Sequence, residues 1–144
     1  YLAPGFMKPE MWAVKLGGNG ELSASNIAWK VAKQAPSKPS PILDSGRLFM
    51  ISDNGILTSL DAASGKEIYA ERLPGEYSAS PVLAENRLYF PNQQGSTFVV
   101  DANAKFYVIA TNKLDAGCMA SPAVVGKSIF LRTKTHLYRI EKDS

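Results

Sequence analysis

The sequence is poorest in the residue types that do most catalytic and metal-binding work. Its 144 residues include one cysteine and one histidine. A single Cys118 excludes an internal disulfide and any multi-cysteine zinc site. Its setting, Ala116-Gly117-Cys118-Met119-Ala120, is small and apolar, so a buried structural thiol is expected. A single His136 excludes a multi-histidine metal site within one chain, and it reads as a hydrogen-bonded residue where a strand begins. No apolar run reaches the length of a membrane-spanning helix. The opening Tyr1-Leu2-Ala3-Pro4-Gly5 lacks both an initiator methionine and the basic-then-apolar pattern of a secretion signal. Gly17-Gly18-Asn19-Gly20 precedes no helix, so it is an enlarged hairpin turn rather than a phosphate loop. Helical periodicity is missing too: no window of about 12 residues keeps an apolar face without a Gly or Pro.

What is present suits a globular chain, with 45% hydrophobic and 20% charged residues. The net charge of +3 is mildly basic. Arg132, Lys134, His136, Arg139 and Lys142 cluster near the C-terminus, and Glu141 among them marks solvated strand faces rather than a nucleic-acid surface.

The dominant signal is a repeat. Ser40-Pro41-Ile42-Leu43 returns as Ser80-Pro81-Val82-Leu83 and again as Ser121-Pro122-Ala123-Val124. Other landmarks keep this spacing near 40: Leu48-Phe49-Met50 with Leu88-Tyr89-Phe90, Asn54-Gly55 with Gln94-Gly95, and Leu60-Asp61 with Val100-Asp101. Within one period, turns at Asp44-Ser45-Gly46, Asp53-Asn54-Gly55 and Ala62-Ala63-Ser64-Gly65 separate four short strands rich in Val, Ile, Leu, Phe and Tyr. Four short strands cannot stand alone, so neighbouring sheets must cover their faces. Four-stranded antiparallel sheets at this period predict an all-β, β-propeller segment. Each Ser-Pro step would open an inner-edge strand, where a proline without an N–H is tolerated. Ser40, Pro41, Ser80, Pro81, Ser121 and Pro122 are therefore register marks.

Leu60-Asp61-Ala62-Ala63-Ser64-Gly65-Lys66-Glu67-Ile68-Tyr69 resembles the pyrroloquinoline-quinone (PQQ) propeller repeat, which writes Leu-Asp-Ala-x-Thr-Gly-Lys-x-x-Trp before the next Ser-Pro. Tyr69 stands at the Trp position, and Trp29 fills it one repeat earlier, behind an enlarged turn at residues 16–26. In the following repeat Asp101-Ala102-Asn103-Ala104-Lys105 lacks the glycine, and Val108 is expected at the aromatic place. The resemblance implies that Trp29 and Tyr69 dock one blade on the next. It also implies a periplasmic or secreted bacterial protein, similar more distantly to the lipoprotein propellers of outer-membrane assembly. The family's dehydrogenases hold PQQ over calcium, but their catalytic motifs find no matching positions, and one cysteine cannot make their vicinal disulfide.

The strand census divides the chain into residues 1–39, the end of a preceding blade with strands near 12–16 and 27–31. Residues 40–79 and 80–120 are complete blades, and 121–144 supply three strands of a last one. About three and a quarter blades fall short of the four to eight of a closed ring. The expected function is a non-catalytic binding or scaffold module, the C-terminal part of a larger propeller, with no cofactor and no catalytic or metal-binding residue. Its partners would be missing blades of the same protein, copies of itself, or another protein, and not nucleic acid. The competing expectation is a fragment of a quinoprotein-type oxidoreductase whose site for PQQ and calcium lies in absent blades. Residues 16–26 and 115–119 depart from the minimal repeat and are the first places to look for contacts.

Overall fold

The structure, a computed structural model, describes residues 1–5, 7–17, 19–21, 23–103 and 105–141. Gly18 of the enlarged turn, Ala104 and Lys142 of the basic cluster lie outside the described residues. Among the described residues the chain is all-β apart from one 3-10 turn at Ala24–Asn26. No helix among the described residues is long and apolar enough to cross a membrane.

Four antiparallel sheets follow one another. The first pairs β1 (Met11–Val14) with β2 (Ile27–Val31). The second is a four-stranded meander of β3 (Ile42–Asp44), β4 (Arg47–Ile51), β5 (Ile56–Asp61) and β6 (Glu67–Arg72). The third repeats it with β7 (Val82–Ala84), β8 (Arg87–Pro91), β9 (Ser96–Asp101) and β10 (Val108–Lys113). The last has three strands, β11 (Ala123–Val125), β12 (Ser128–Arg132) and β13 (Leu137–Glu141). The sheets do not close into a ring, and the architecture is that of a partial propeller.

Alternation of side chains across each sheet explains how the blades stack. Along β4, Leu48 and Met50 turn towards the first blade and pack with Met11, Ala35, Leu60 and Ala62. Phe49 and Ile51 turn the other way, and with Leu57, Leu73 and Tyr77 they meet Leu88, Phe90 and Val100 of the third blade. Middle strands between two neighbouring sheets are thus apolar on both faces, and β4 buries four consecutive residues.

The first blade is fuller than its two named strands. The sequence places the first strand near 12–16, yet Leu2 already exchanges both backbone hydrogen bonds with Trp12, at 3.0 and 2.8 Å. Leu2 sits where a second strand belongs.

One expectation is corrected by a repeated β-bulge. Tyr69 lies opposite Ser59, while Glu67 lies opposite Leu60, so Ile68 is an extra residue in the outer strand. Ala28 is extra between Trp29 and Ile27 in the same way. In the third blade Ala110 pairs with Val99 and Val108 with Val100, leaving Ile109 as the extra residue. Cross-strand register therefore puts Ala110, not Val108, at the aromatic place. Spacing alone cannot reveal this, because a bulge moves every later partner by one.

Gly117 packs directly on the turn between β8 and β9. A Cβ there would be driven into the carbonyl of Gln93, and the Gly117 carbonyl accepts the Lys134 N–H at 3.1 Å. The Gln93 carbonyl is backbone, so it cannot swing aside. Gly117→Ala is expected to destabilise the chain by about 1–3 kcal/mol, the usual range for overpacking, read as a lowered urea midpoint at unchanged m-value.

Candidate functional site

Polar chemistry converges on the central rim and on the seams between blades. At the rim the Ser-Pro steps touch. The Ser40 N–H donates to Ser80 Oγ at 2.9 Å, and the Ser80 N–H donates to Ser121 Oγ at 2.9 Å. Ser40 and Ser80 thus give their backbone hydrogens forward, and Ser80 and Ser121 accept them from behind. The following proline has no N–H, so the serine carries the last backbone donor before the inner strand. The serines are latches between blades, which their spacing could not disclose. A clue lay in the residue type: a short hydroxyl side chain reaches a neighbouring backbone without filling the channel.

The docking residues sit further out. The Trp29 indole Nε1–H donates to the Ala62 carbonyl at 3.1 Å, and Tyr1 Oη–H reaches the same oxygen at 2.8 Å. The indole lies against Gly65, whose φ of +72° and lack of Cβ make room for it; a Cβ would come within 2.6 Å of the ring. That contact gives a reason for the glycine in the Leu-Asp-Ala turn. Asp61 holds the turn by accepting the Ser64 N–H at 2.8 Å and the Ser64 hydroxyl at 2.6 Å. Those bonds keep its carboxyl below the usual range, the side-chain bond contributing most.

Tyr69 meets Phe106 edge-on, with centroids 5.9 Å apart, where the glycine has been lost. The Arg47 guanidinium lies 6.0 Å from the Tyr69 ring and donates to the Ala102 carbonyl of the next blade at 3.1 Å. Burial pushes the Tyr69 hydroxyl up to about 12, against the opposing pull of Arg47. The hydroxyls of Tyr69 and Ser59 are buried without a hydrogen-bond partner among the described residues.

The third seam is looser. Cross-strand register replaces Ile51, Leu57 and Phe90 of the second seam by Pro91, Thr97 and Leu131. Ala110 replaces the docking ring. A cavity of about 280 Å³ opens between Pro91, Thr97 and Leu114 on one blade and Ile129, Leu131 and Ile140 on the other.

The two departures from the minimal repeat lie at opposite ends of the blades, because one joins strands three and four and the other joins successive blades. In the turn at 16–26, Leu16 is almost fully exposed and the Lys15 N–H bonds the Asn26 carbonyl. In 115–119, Cys118 is buried, its N–H donates to the Asn92 carbonyl at 3.0 Å, and burial pushes its thiol up. His136 lies just before β13, its N–H on Thr133 Oγ1 at 3.0 Å and its Nδ1 2.9 Å from Thr135 Oγ1.

The carboxylates described are occupied in holding turns and loops. Asp53 accepts the Ser37 and Lys38 N–H groups and pairs with Lys38 Nζ at 3.4 Å. Asp61 is committed to Ser64, and Asp101 accepts the Asn103 N–H at 2.7 Å. No three His, Cys, Asp or Glu residues converge among the described residues. Calcium takes six to eight oxygens on converging groups, so these separated turn-holding acids do not fit PQQ over calcium.

Ser80→Ala removes the acceptor for the Ser40 N–H. A loss of about 1 kcal/mol and faster hydrogen exchange at Ser40 are expected, with Ser80→Thr retaining protection. For Asp61 the folded carboxyl titrates lower than the unfolded one, so its stabilisation is present above the unfolded value and lost as pH falls through the folded one. The gap in urea midpoint between wild type and Asp61→Asn should accordingly narrow below about pH 4.

The profile of the family described as outer membrane protein assembly factor BamB matches residues 11–104. The outer membrane protein assembly factor BamB of Moranella endobia (strain PCIT) is 28% identical over 139 residues, covering 88% of this chain and 32% of that protein. The chain thus spans about a third of the length of this relative. BamB from Moraxella catarrhalis superposes with a TM-score of 0.57 at 15% identity, over 72% of this chain and 36% of that one. A europium-containing methanol dehydrogenase gives 0.59 at 14% identity, over 74% and 22%. The quinohemoprotein alcohol dehydrogenase ADHIIG from Pseudomonas putida HK5 gives 0.57 at 14%, over 65% and 16%. These solved structures share the fold and, at such identities, nothing finer is read from them. With its profile matched over well more than half of the residues, the chain belongs to the PQQ-like β-propeller family described as outer membrane protein assembly factor BamB.

Proposed function

We propose that this chain is a non-catalytic PQQ-like propeller module, a binding or scaffold element of a periplasmic or secreted protein. It would form the C-terminal part of a larger ring and use no cofactor. The observation that carries the proposal is the employment of its polar groups. Asp53, Asp61 and Asp101 accept hydrogen bonds from nearby backbone, and the rim serines bond one blade to the next. Little chemistry is left to attack or activate a substrate, whereas rigid blades presenting loops at two ends suit protein contacts.

Further support comes from the family, described as that of an outer membrane protein assembly factor, and from the outermost sheets. Val125 and Leu137 are more than 60% exposed on the last blade, and Leu2 is 54% exposed on the first. Apolar surface of that kind is covered in soluble assemblies, here by further blades of the same protein or by copies of the chain.

Titration of the chain with PQQ and calcium tests the reading. No saturable change in cofactor absorbance is expected at micromolar concentration. Saturable low-micromolar binding would overturn it in favour of a quinoprotein-type oxidoreductase fragment.

A further inference from the structure

We propose that Asn19-Gly20 in the enlarged turn is a site of spontaneous asparagine modification, and that the fold shields the other Asn-Gly step, Asn54-Gly55, from the same reaction. The sequence holds Asn-Gly only at these two places. Such a step is reactive because a glycine without a side chain lets its backbone nitrogen reach the preceding amide. Hydroxide takes the glycine N–H proton, and the nitrogen attacks asparagine Cγ. The N–Cγ bond forms, the Cγ–Nδ2 bond breaks, and ammonia leaves with a proton returned from water. Water then opens the cyclic imide. Cleavage at Cγ gives aspartate, and cleavage at the backbone carbonyl gives isoaspartate, which carries the chain through its side chain.

The reaction needs a glycine N–H that base can reach and a side-chain amide free to swing over it. Asn54 is itself exposed, so the difference lies in what surrounds it. Gly55 is buried, and its N–H donates to the Ser52 carbonyl at 2.9 Å. The Ser52 hydroxyl donates to Asn54 Oδ1 at 2.6 Å and accepts the Ile56 N–H at 2.9 Å, so the amide is tied back to the foot of the hairpin. The Arg72 guanidinium holds the Asn54 carbonyl at 3.1 Å, and the Leu73 N–H donates to the Gly55 carbonyl at 2.8 Å. Reaction at Asn54 must therefore wait for local opening, as hydrogen exchange does.

At Asn19 neither restraint is present. Asn19 and Gly20 are both exposed, and nothing lies within 4 Å of where a Gly20 side chain would stand. No hydrogen bond engages either residue among the described residues. The bond from the Lys15 N–H to the Asn26 carbonyl closes the hairpin at its base, so the residues between need not hold the register. Either product adds a negative charge to this turn, and isoaspartate also reroutes its backbone. β1 and β2 can keep their pairing throughout. This inference stands apart from the scaffold reading, which the PQQ titration decides.

The full chain is aged at neutral pH, folded and in urea, and mapped by peptide mass spectrometry, with isoaspartate scored by an isoaspartyl methyltransferase. In the folded chain, conversion at Asn19 is expected to run about tenfold or more ahead of conversion at Asn54, and to quicken as pH rises. In urea the two rates should approach each other. Ser52→Ala is expected to raise conversion at Asn54 severalfold and to leave Asn19 unchanged; should that variant unfold, the folded and urea-treated wild type decide alone. Equal rates in the folded chain overturn the shielding. A ratio unchanged by urea assigns the difference to neighbouring residues and overturns the role of the fold. An Asn19 that stays intact in the folded chain while both steps convert in urea overturns the site.

Discussion

A four-stranded blade cannot hide two apolar faces by itself, and this constraint organises the molecule. β4 carries Leu48 and Met50 on one side and Phe49 and Ile51 on the other, so the second blade is stable only between two neighbours. Burying each large side chain of this kind stabilises by roughly 1.5–3 kcal/mol, and most of that burial occurs between sheets rather than within them. Hydrogen bonding follows the same logic. Arg47 reaches Ala102, Trp29 reaches Ala62, and Ser40 reaches Ser80, each from one blade to the next. The contacts of the fold are nearest-neighbour contacts, as expected of a repeat array.

The three seams are not equal. The first has an indole wedged against Gly65, and the second a phenol edge-on to Phe106. The third has Ala110 and an open cavity, and the last blade beyond it has three strands. Fewer apolar contacts in that seam mean a lower local opening free energy, so the last blade should exchange first. The structure therefore runs from a firm middle to a looser third seam.

How much of this was legible beforehand depends on the length scale. The period, the strand order and the hairpin positions follow from Ser-Pro steps and glycine turns, because turn chemistry and two-residue alternation are local. The use of Asp61 as a turn holder was likewise readable from Leu-Asp-Ala-Ala-Ser-Gly. Three features were not. The serine latch joins residues 40 apart whose proximity depends on how the blades are stacked. The shift from Val108 to Ala110 comes from a bulge, which adds a residue without altering composition. Gly117 is required by the Gln93 carbonyl of a different turn, and nothing in its own neighbours announces that. Local pattern revealed the blades, and the contacts between them were hidden.

The serine latch has a direction. At both steps the hydrogen runs from one Ser-Pro to the next, so the blade opened by Ser80 offers an acceptor on one side and a donor on the other. Such a connector is indifferent to how many units it joins. A blade inserted or removed whole leaves every remaining rim bond with a partner of the right kind, provided that the unit carries its own Ser-Pro. Growth and loss by whole repeats are thereby cheap at the rim, and the limit on ring size is set further out, by the wedge of side chains in each seam. In such an architecture the inner edge keeps the units interchangeable, while the outer part decides how they fan.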